Sequence, residues 1–575
     1  MLAKPLTMKR VFLLLITLIT YYSVSAQNWL WAKEATPLHN GWGDVTGDHT
    51  TLVDALGNVY SAGIVYDTIS FGPYVMVGNT NYGHEFIVKY DALGNLQWAT
   101  QGKPASLISR GEARSMCFDG SGNIYLAGLF YDTLTFGSYV LKSTNFNQYI
   151  AKYDVNGNPI WAVQGRINSS VGFARIYGIV SDSPKYLYTG GIFRDTILVG
   201  ADTLISSNNY VNCDTYVAKY DTSGKVIWAR QAKQKNTKGN VRALSASGDA
   251  QHNLYIGGYF NDTISFGAKT IISKSPYADV FVTKYDSGGN VQWVSQGKSS
   301  FSAMVASIAT DAGGSTYLTG YFQDTITFDT IKLISKGINC PYLVKYNTDG
   351  SVVWAIQPVI LDGNNWDGLC VTCDTLKQGG CYWAMTGGGK SPQNIRINST
   401  PYSLATSYLS ATVLVHLDST GTIKCGTIFT DGGEDDMDAI GVDRAGSYVY
   451  IGADEANPVL FGPDSLLYSY DNPFVARWDN CNLIITGNKP ISNVQQVFLF
   501  PNPNNGLFTL QSNKALNGCN VEIYNMTGEK VYSAQFSAHT SQFTVDLNNK
   551  PAGIYLYRLL DKEGQPIANG KFVIE

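Results

Sequence analysis

Seven aspartates, Asp54, Asp119, Asp182, Asp249, Asp311, Asp374 and Asp443, recur at similar places along this 575-residue chain. Seven residues before each stand Gly47, Glu112, Arg175, Arg242, Met304, Asp367 and Asp436. Charges of both signs at one register of a repeat suit ion pairing and charge-assisted hydrogen bonding to a polar ligand. Mutual ion pairing in solvent is the plainer use of the same residues. Catalysis has less support. Glycoside cleavage needs two carboxyls facing one another, whereas most acids here lie in turns. His39, His49, His84, His252, His416 and His539 show no metal-binding spacing. Neither a Gly-x-Ser-x-Gly elbow nor a phosphate loop occurs, and no cofactor is called for. Calcium could find oxygen ligands in the run Glu434 to Asp438, the densest acid cluster, for which a solvated loop is the simpler account.

Cys370 and Cys373 form a C-x-x-C pair, but a structural zinc site needs a second pair or histidines, and none is placed to help. In a secreted chain a local disulfide between Cys373 and Cys381, across a hairpin, is the expectation. The total of nine cysteines leaves at least one thiol outside any intrachain pairing.

What must position these groups is a repeat of about 65 residues. Lys-Tyr-Asp begins at Lys89, Lys152, Lys219 and Lys284, with degenerate copies at Lys345, His416 and Arg477. Trp98, Trp161, Trp228, Trp293 and Trp354 follow the first five copies, and Cys425 takes that place in the sixth. Upstream, Tyr60, Tyr125, Tyr188, Tyr255, Tyr317, Tyr382 and Tyr450 each open a run ending in small residues. Asx and Gly turns between β-rich runs mark hairpins, and each unit resolves into four antiparallel strands. Their central runs are apolar on both faces, as stacked sheets require.

The predicted fold is all-β: a seven-bladed β-propeller over residues 27–483, then a small Ig-like β-sandwich over residues 494–575. The last repeat lacks its Trp strand, and Asn28 to Ala32 matches the missing piece. That segment should complete blade seven and remove an open sheet edge. Segments beginning at Asp67, Asp132, Asp262 and Asp324 predict an extra hairpin between the second and third strands, with the aspartates capping turns. Connections at that end vary most, so recognition is expected there, at a channel mouth ringed by Glu112, Arg175, Arg242, Asp367 and Asp436.

Lys9 and Arg10, an apolar run to Ile19 and Ser23-Val-Ser-Ala26 describe a signal peptide over residues 1–26. No later segment is long enough to span a bilayer as a helix. A net charge of −4 excludes a strongly basic nucleic-acid binder. Charged residues make up only 15% while aromatics reach 13%, the balance of an extracellular β-protein. Residues 484–493 read as a linker.

The Asp-x-x-Gly-Asn, Tyr-x-Ala-Gly and Lys-Tyr-Asp-x-x-Gly-Asn-x-x-Trp elements resemble the β-propeller repeat family of secreted bacterial proteins, over residues 28 to 482. The C-terminal segment is similar to the type A sorting domain of the type IX secretion system of Bacteroidota, through Pro501, Asn502, Pro503, Gly506, Gly528, Gly553 and Tyr555. That second resemblance implies recognition by the secretion translocon and release or attachment at the outer cell surface. Together the readings favour a binding or adhesion protein for glycan or protein ligands, with a polysaccharide hydrolase or lyase as the alternative.

Overall fold

The computed structural model describes residues 29–574 except 39–45, 79–82, 107, 170, 183, 208–212, 236–240, 336–337, 362–364, 374–379, 389–392, 399, 405–409, 432–438, 444–447, 456–459, 462–463, 466–471, 480–496, 501–503, 513–518, 526–528, 536–541, 561 and 563–565. The expected signal peptide and linker, and Asp436, Pro501, Asn502, Pro503 and Gly528, lie outside the described residues. The chain divides into two compact units, Met1–Asn482 and Leu483–Glu575. Among the described residues all regular structure is β.

Among its described residues the first unit contains seven four-stranded antiparallel meanders. Blade two is typical: Arg110–Phe118, Ile124–Phe136, Tyr139–Tyr153 and Pro159–Gln164 pair in order. The first strands of successive blades touch one another, and that of blade seven (Ala439–Val442) touches that of blade one (Thr46–Val53), so the ring closes. Trp29–Glu34 is the outer strand of blade seven, with Trp31 opposite Arg477 and Lys33 opposite Val475. The core lies between blades: Tyr60, Ala62 and Ile87 of blade one pack with Ala113, Met116 and Leu126 of blade two.

The repeated motif residues explain how blades hold each other. The indole of each fourth-strand Trp donates to a turn carbonyl in the next blade: Trp98 to Val155 (3.2 Å), Trp161 to Thr222 (3.1 Å), Trp228 to Ser287 (3.4 Å), Trp293 to Thr348 (2.9 Å) and Trp354 to Ser419 (3.1 Å). The motif lysines reach the same carbonyls, as Lys219 does at Ser287 (3.0 Å) and Lys345 at Ser419 (3.0 Å). The motif aspartate turns the chain: Asp91 Oδ1 accepts from the amides of Leu93 and Asn95, each at 2.9 Å. Glycine follows because the turn needs a left-handed residue and has no room for a side chain. Gly157 has φ +82°, and a Cβ there would stand 2.8 Å from the Trp98 ring. Cys425, in the tryptophan position of blade six, is disulfide-bonded.

Extra hairpins do occupy the second-to-third connections, as in Thr196–Val199 with Asp202–Ile205. Each leans on the preceding blade: Thr196–Val199 pairs with Arg166–Ile167 and Thr263–Phe266 with Val226–Gln234. Of the aspartates that open them, Asp67 accepts from the Thr68 amide at 2.6 Å and Asp132 from the hydroxyls of Ser106 and Ser109. Asp132, Asp195, Asp262 and Asp324 all have φ near +65°, a conformation that Asp tolerates better than most residues.

Cys373 and Cys381 are directly opposite in register in the first hairpin of blade six, both buried. Both are thiols, so the disulfide expected between them is not formed in this structure. Burial pushes the Cys381 thiol well above its usual range, which keeps the reactive thiolate scarce.

In the second unit, Val497–Phe500, Leu507–Ser512 and Gln542–Asp546 form a three-stranded sheet. Lys530–Gln535, Asn520–Asn525, Gly553–Leu560 and Pro566–Ile574 form a four-stranded one. Phe508, Leu510, Val521, Ile523, Val545 and Phe572 form their common core. Gly506, of the sorting motif, has φ +98°, and Tyr555 donates its hydroxyl to Pro551 O at 2.7 Å.

Candidate functional site at the channel mouth

Side chains alternate along a strand, so a one-residue bulge re-aims everything beyond it. The first strands of blades one to six all carry one at the same register, between Asp48/Thr50, Ala113/Ser115, Ile176/Gly178, Ala243/Ser245, Val305/Ser307 and Gly368/Cys370. The bulged residues include Arg114 and Tyr177. Each stands two residues after a residue of the expected ring, and the two levels meet.

Glu112 is the hub. It is only 2% exposed, and three guanidiniums converge on its carboxylate: Arg110, Arg114 (3.1 Å) and Arg175 (3.4 Å). Arg175 Nη1 also donates to the Tyr177 hydroxyl at 3.0 Å, and Arg114 and Arg175 both lie over the Tyr177 ring, at 5.9 and 5.3 Å. The strand beneath is anchored from blade two itself, where the Tyr149 hydroxyl donates to Glu112 O at 3.1 Å.

Aromatic rings flank the arginines. Arg110 lies 5.6 Å over Phe146 and reaches the Tyr66 hydroxyl at 3.5 Å; Arg175 lies 5.6 Å over Phe173. Phe146 in turn contacts Tyr131 (5.2 Å) and Phe173 (6.4 Å). Arg242 continues the cationic arc. Burial raises the Cys213 thiol, an effect that the charges of Arg242, Arg194 and Arg175 oppose and that of Asp214 reinforces. The Nε atoms of Arg110, Arg175 and Arg242 are buried with no hydrogen-bond partner.

Of the expected ring, then, the structure joins Glu112 to Arg175, while Arg242 stands on the first strand of the next blade. Asp367 has another setting in blade six: burial raises its carboxyl to about 6, opposed by a hydrogen bond from the Asn339 side chain, and its Oδ1 has no partner. Sequence reasoning missed Arg110, Arg114, Tyr177 and Phe146. An arginine two residues to either side of a ring position was the available signal, but the bulge that brings Arg114 to Glu112 breaks the alternation from which facing is read.

Fold and C-terminal domain together define a secreted all-β protein of propeller type that is sorted by its C-terminus. Residues 498–575 match the family described as the secretion system C-terminal sorting domain, so the protein follows the type IX route to the cell surface or the medium. Over 335 residues the chain is 25% identical to an uncharacterized WD repeat-containing protein of Acanthamoeba polyphaga mimivirus, a match covering 47% of this chain and 24% of that protein. The chain thus spans about a quarter of that relative's length. Among solved structures, quinohemoprotein alcohol dehydrogenase from Comamonas testosteroni is 10% identical, with a TM-score of 0.35 over 83% of this chain and 79% of that one. PorZ, a surface component of the type IX secretion system of Porphyromonas gingivalis, is 10% identical with a TM-score of 0.17, over 95% and 100% of the two chains. No helix among the described residues is long and apolar enough to cross a membrane.

Proposed function

We propose that the protein is a non-catalytic binding or adhesion protein whose channel mouth takes a negatively charged ligand, an acidic glycan. One observation carries the reading: three guanidiniums share a single buried carboxylate, and the Nε donors of Arg110, Arg175 and Arg242 are buried and unpaired. Buried positive charge without a counter-charge is costly, and guanidinium forks match carboxylate and sulfate groups in pairs. The partly buried rings of Tyr66, Tyr131, Phe146 and Phe173 favour a glycan over an acidic protein, because they set apolar surface beside the charges, as the mixed faces of a sugar require. Both oxygens of Glu112 are engaged by guanidiniums, an arrangement that anchors cations instead of delivering a proton.

Testing it requires the purified full-length mature protein on an array of uronate-bearing, sulfated and neutral glycans at two salt concentrations. Retention of acidic glycans, weakened by salt and abolished by Arg175→Ala or Arg242→Ala, supports the reading. Retention of neutral glycans alone, or of none, overturns it. Release of shortened sugars would instead indicate a hydrolase or lyase.

A further inference from the structure

A second site lies at the rim between blades two and three, built from residues that take no part in the arginine cluster. A cavity of about 450 Å³ is lined by Asp132, Lys142, Asn145, Asn147, Gln164 and Arg166, among others. That volume falls within the range of small-ligand sites, about 300–1,000 Å³. Its lining departs from the repeat at two positions, Lys142 and Asn147.

The first concerns the base of the extra hairpin. In five blades a glutamine of the fourth strand or its end pins this base through its backbone: Gln101 to Val77, Gln164 to Lys142, Gln231 to Ile205, Gln296 to Ile272 and Gln357 to Ile334. Four of the five pinned residues are aliphatic. Blade two alone among these presents a lysine, fixed by two bonds at 2.9 and 2.8 Å to the Gln164 amide. The second departure is Asn147, only 2% exposed. Its Nδ2 donates to Gly165 O at 2.8 Å, which settles the orientation of the amide, and its Oδ1 is left with no partner. At the same register Asp214 and Asp279 accept from Gln231 and Gln296, and both ring nitrogens of His84 are engaged.

We infer that this cavity binds a neutral sugar ring. A buried orphan acceptor calls for a donor, so the ligand must offer a hydroxyl to Asn147 Oδ1, which a simple anion cannot do. Lys142 and Arg166 supply donors to the ring's other oxygens, and Asp132, whose Oδ2 already accepts from the hydroxyls of Ser106 (2.6 Å) and Ser109 (2.7 Å), supplies a further polar edge. Alternating hydroxyl donors and acceptors on one ring meet both demands. The inference stands on these residues and not on the acidic-ligand reading of the channel mouth.

The test uses the full-length protein and three probes, methyl α-mannopyranoside, methyl β-glucopyranoside and methyl β-galactopyranoside, titrated by ligand-observed NMR. At least one should bind. Lys142→Ile, which restores the residue type of the other blades, and Arg166→Ala should each weaken it about tenfold, the loss of one charge-assisted hydrogen bond. Arg175→Ala should leave glycoside binding unchanged while abolishing retention of acidic glycans, so the two sites fail separately. Binding of none of the three glycosides, or binding indifferent to both rim variants, overturns the inference.

Discussion

The indole of Trp31 donates to the carbonyl of Ala92 at 3.3 Å. Trp31 belongs to a strand from the start of the chain that is built into blade seven, and Ala92 to the last turn of blade one, so this bond does at the ring's closure what Trp98, Trp161 and the other fourth-strand tryptophans do elsewhere. Arg477 reaches the same carbonyl.

Trp31 is almost fully buried, against Tyr90 and Tyr450. Trp31→Ala should lower unfolding free energy by about 3–5 kcal/mol, the usual cost of removing a large core aromatic. Trp31→Phe, which keeps most of the packing and loses the bond, should cost nearer 1 kcal/mol. Denaturant unfolding would measure both, and a Trp31→Phe variant as stable as the parent would show that the bond to Ala92 contributes nothing.

Glu85 sits fully buried in blade one, and neither carboxyl oxygen completes a hydrogen bond. Burial raises its carboxyl from an ordinary 4.5 to about 8, with the nearby amides of Glu85 and Gly102 pulling the other way. Below pH 4.5 both folded and unfolded chains hold the proton. Between 4.5 and about 8 only the folded chain keeps it, so stability falls as pH rises through that window and levels off above it. The same register carries Gln148, Thr215, Val280 and Pro341 in other blades, so the fold does not require an acid there. Glu85→Gln should remove the slope and gain a few kcal/mol at pH 8, on the order expected for such a shift. Parallel stability curves for the two proteins from pH 5 to 8 would refute this.

Glu112→Gln should separate stability from binding. Removing the charge shared by Arg110, Arg114 and Arg175 should destabilise the fold by about 2 kcal/mol, less than a fully buried pair because the arginines are 19–26% exposed. The same change adds net positive charge to the mouth and should strengthen retention of acidic glycans on the array. A simultaneous fall in both would mean that Glu112 itself contacts the ligand.

Gly506→Ala should destabilise the sorting domain. At φ +98° a side chain is strained, and a Cβ would come within 2.8 Å of Asn548 backbone atoms. The expected cost is about 1–3 kcal/mol for the strained backbone. Calorimetry of the full-length variant should show one transition lowered and the propeller transition unmoved. An unchanged thermogram would mean the turn relaxes at no cost.

The architecture was legible because its signals are local. Turn chemistry in Asp91 to Asn95 and its counterparts recurs every blade, and strand alternation follows a period of two. The spacing of Trp98, Trp161 and their fellows even exposed the missing strand that Trp31 supplies. Glu112, Arg175 and Arg242 were picked out by the same counting, since equal register places residues at equal depth in every blade.

What counting does not supply is which of those groups meet. A bulge at Arg114 and Tyr177 shifts facing by one residue without any composition to announce it, and it turns a ring of separate charges into a cluster on Glu112. Partners such as Arg175 and Glu112 lie 63 residues apart, joined only once blades pack. The thiols of Cys373 and Cys381, the orphan oxygen of Asn147 and the buried carboxyl of Glu85 likewise depend on neighbours from other strands and blades, because burial and partnering belong to the packed molecule and not to any stretch of its chain.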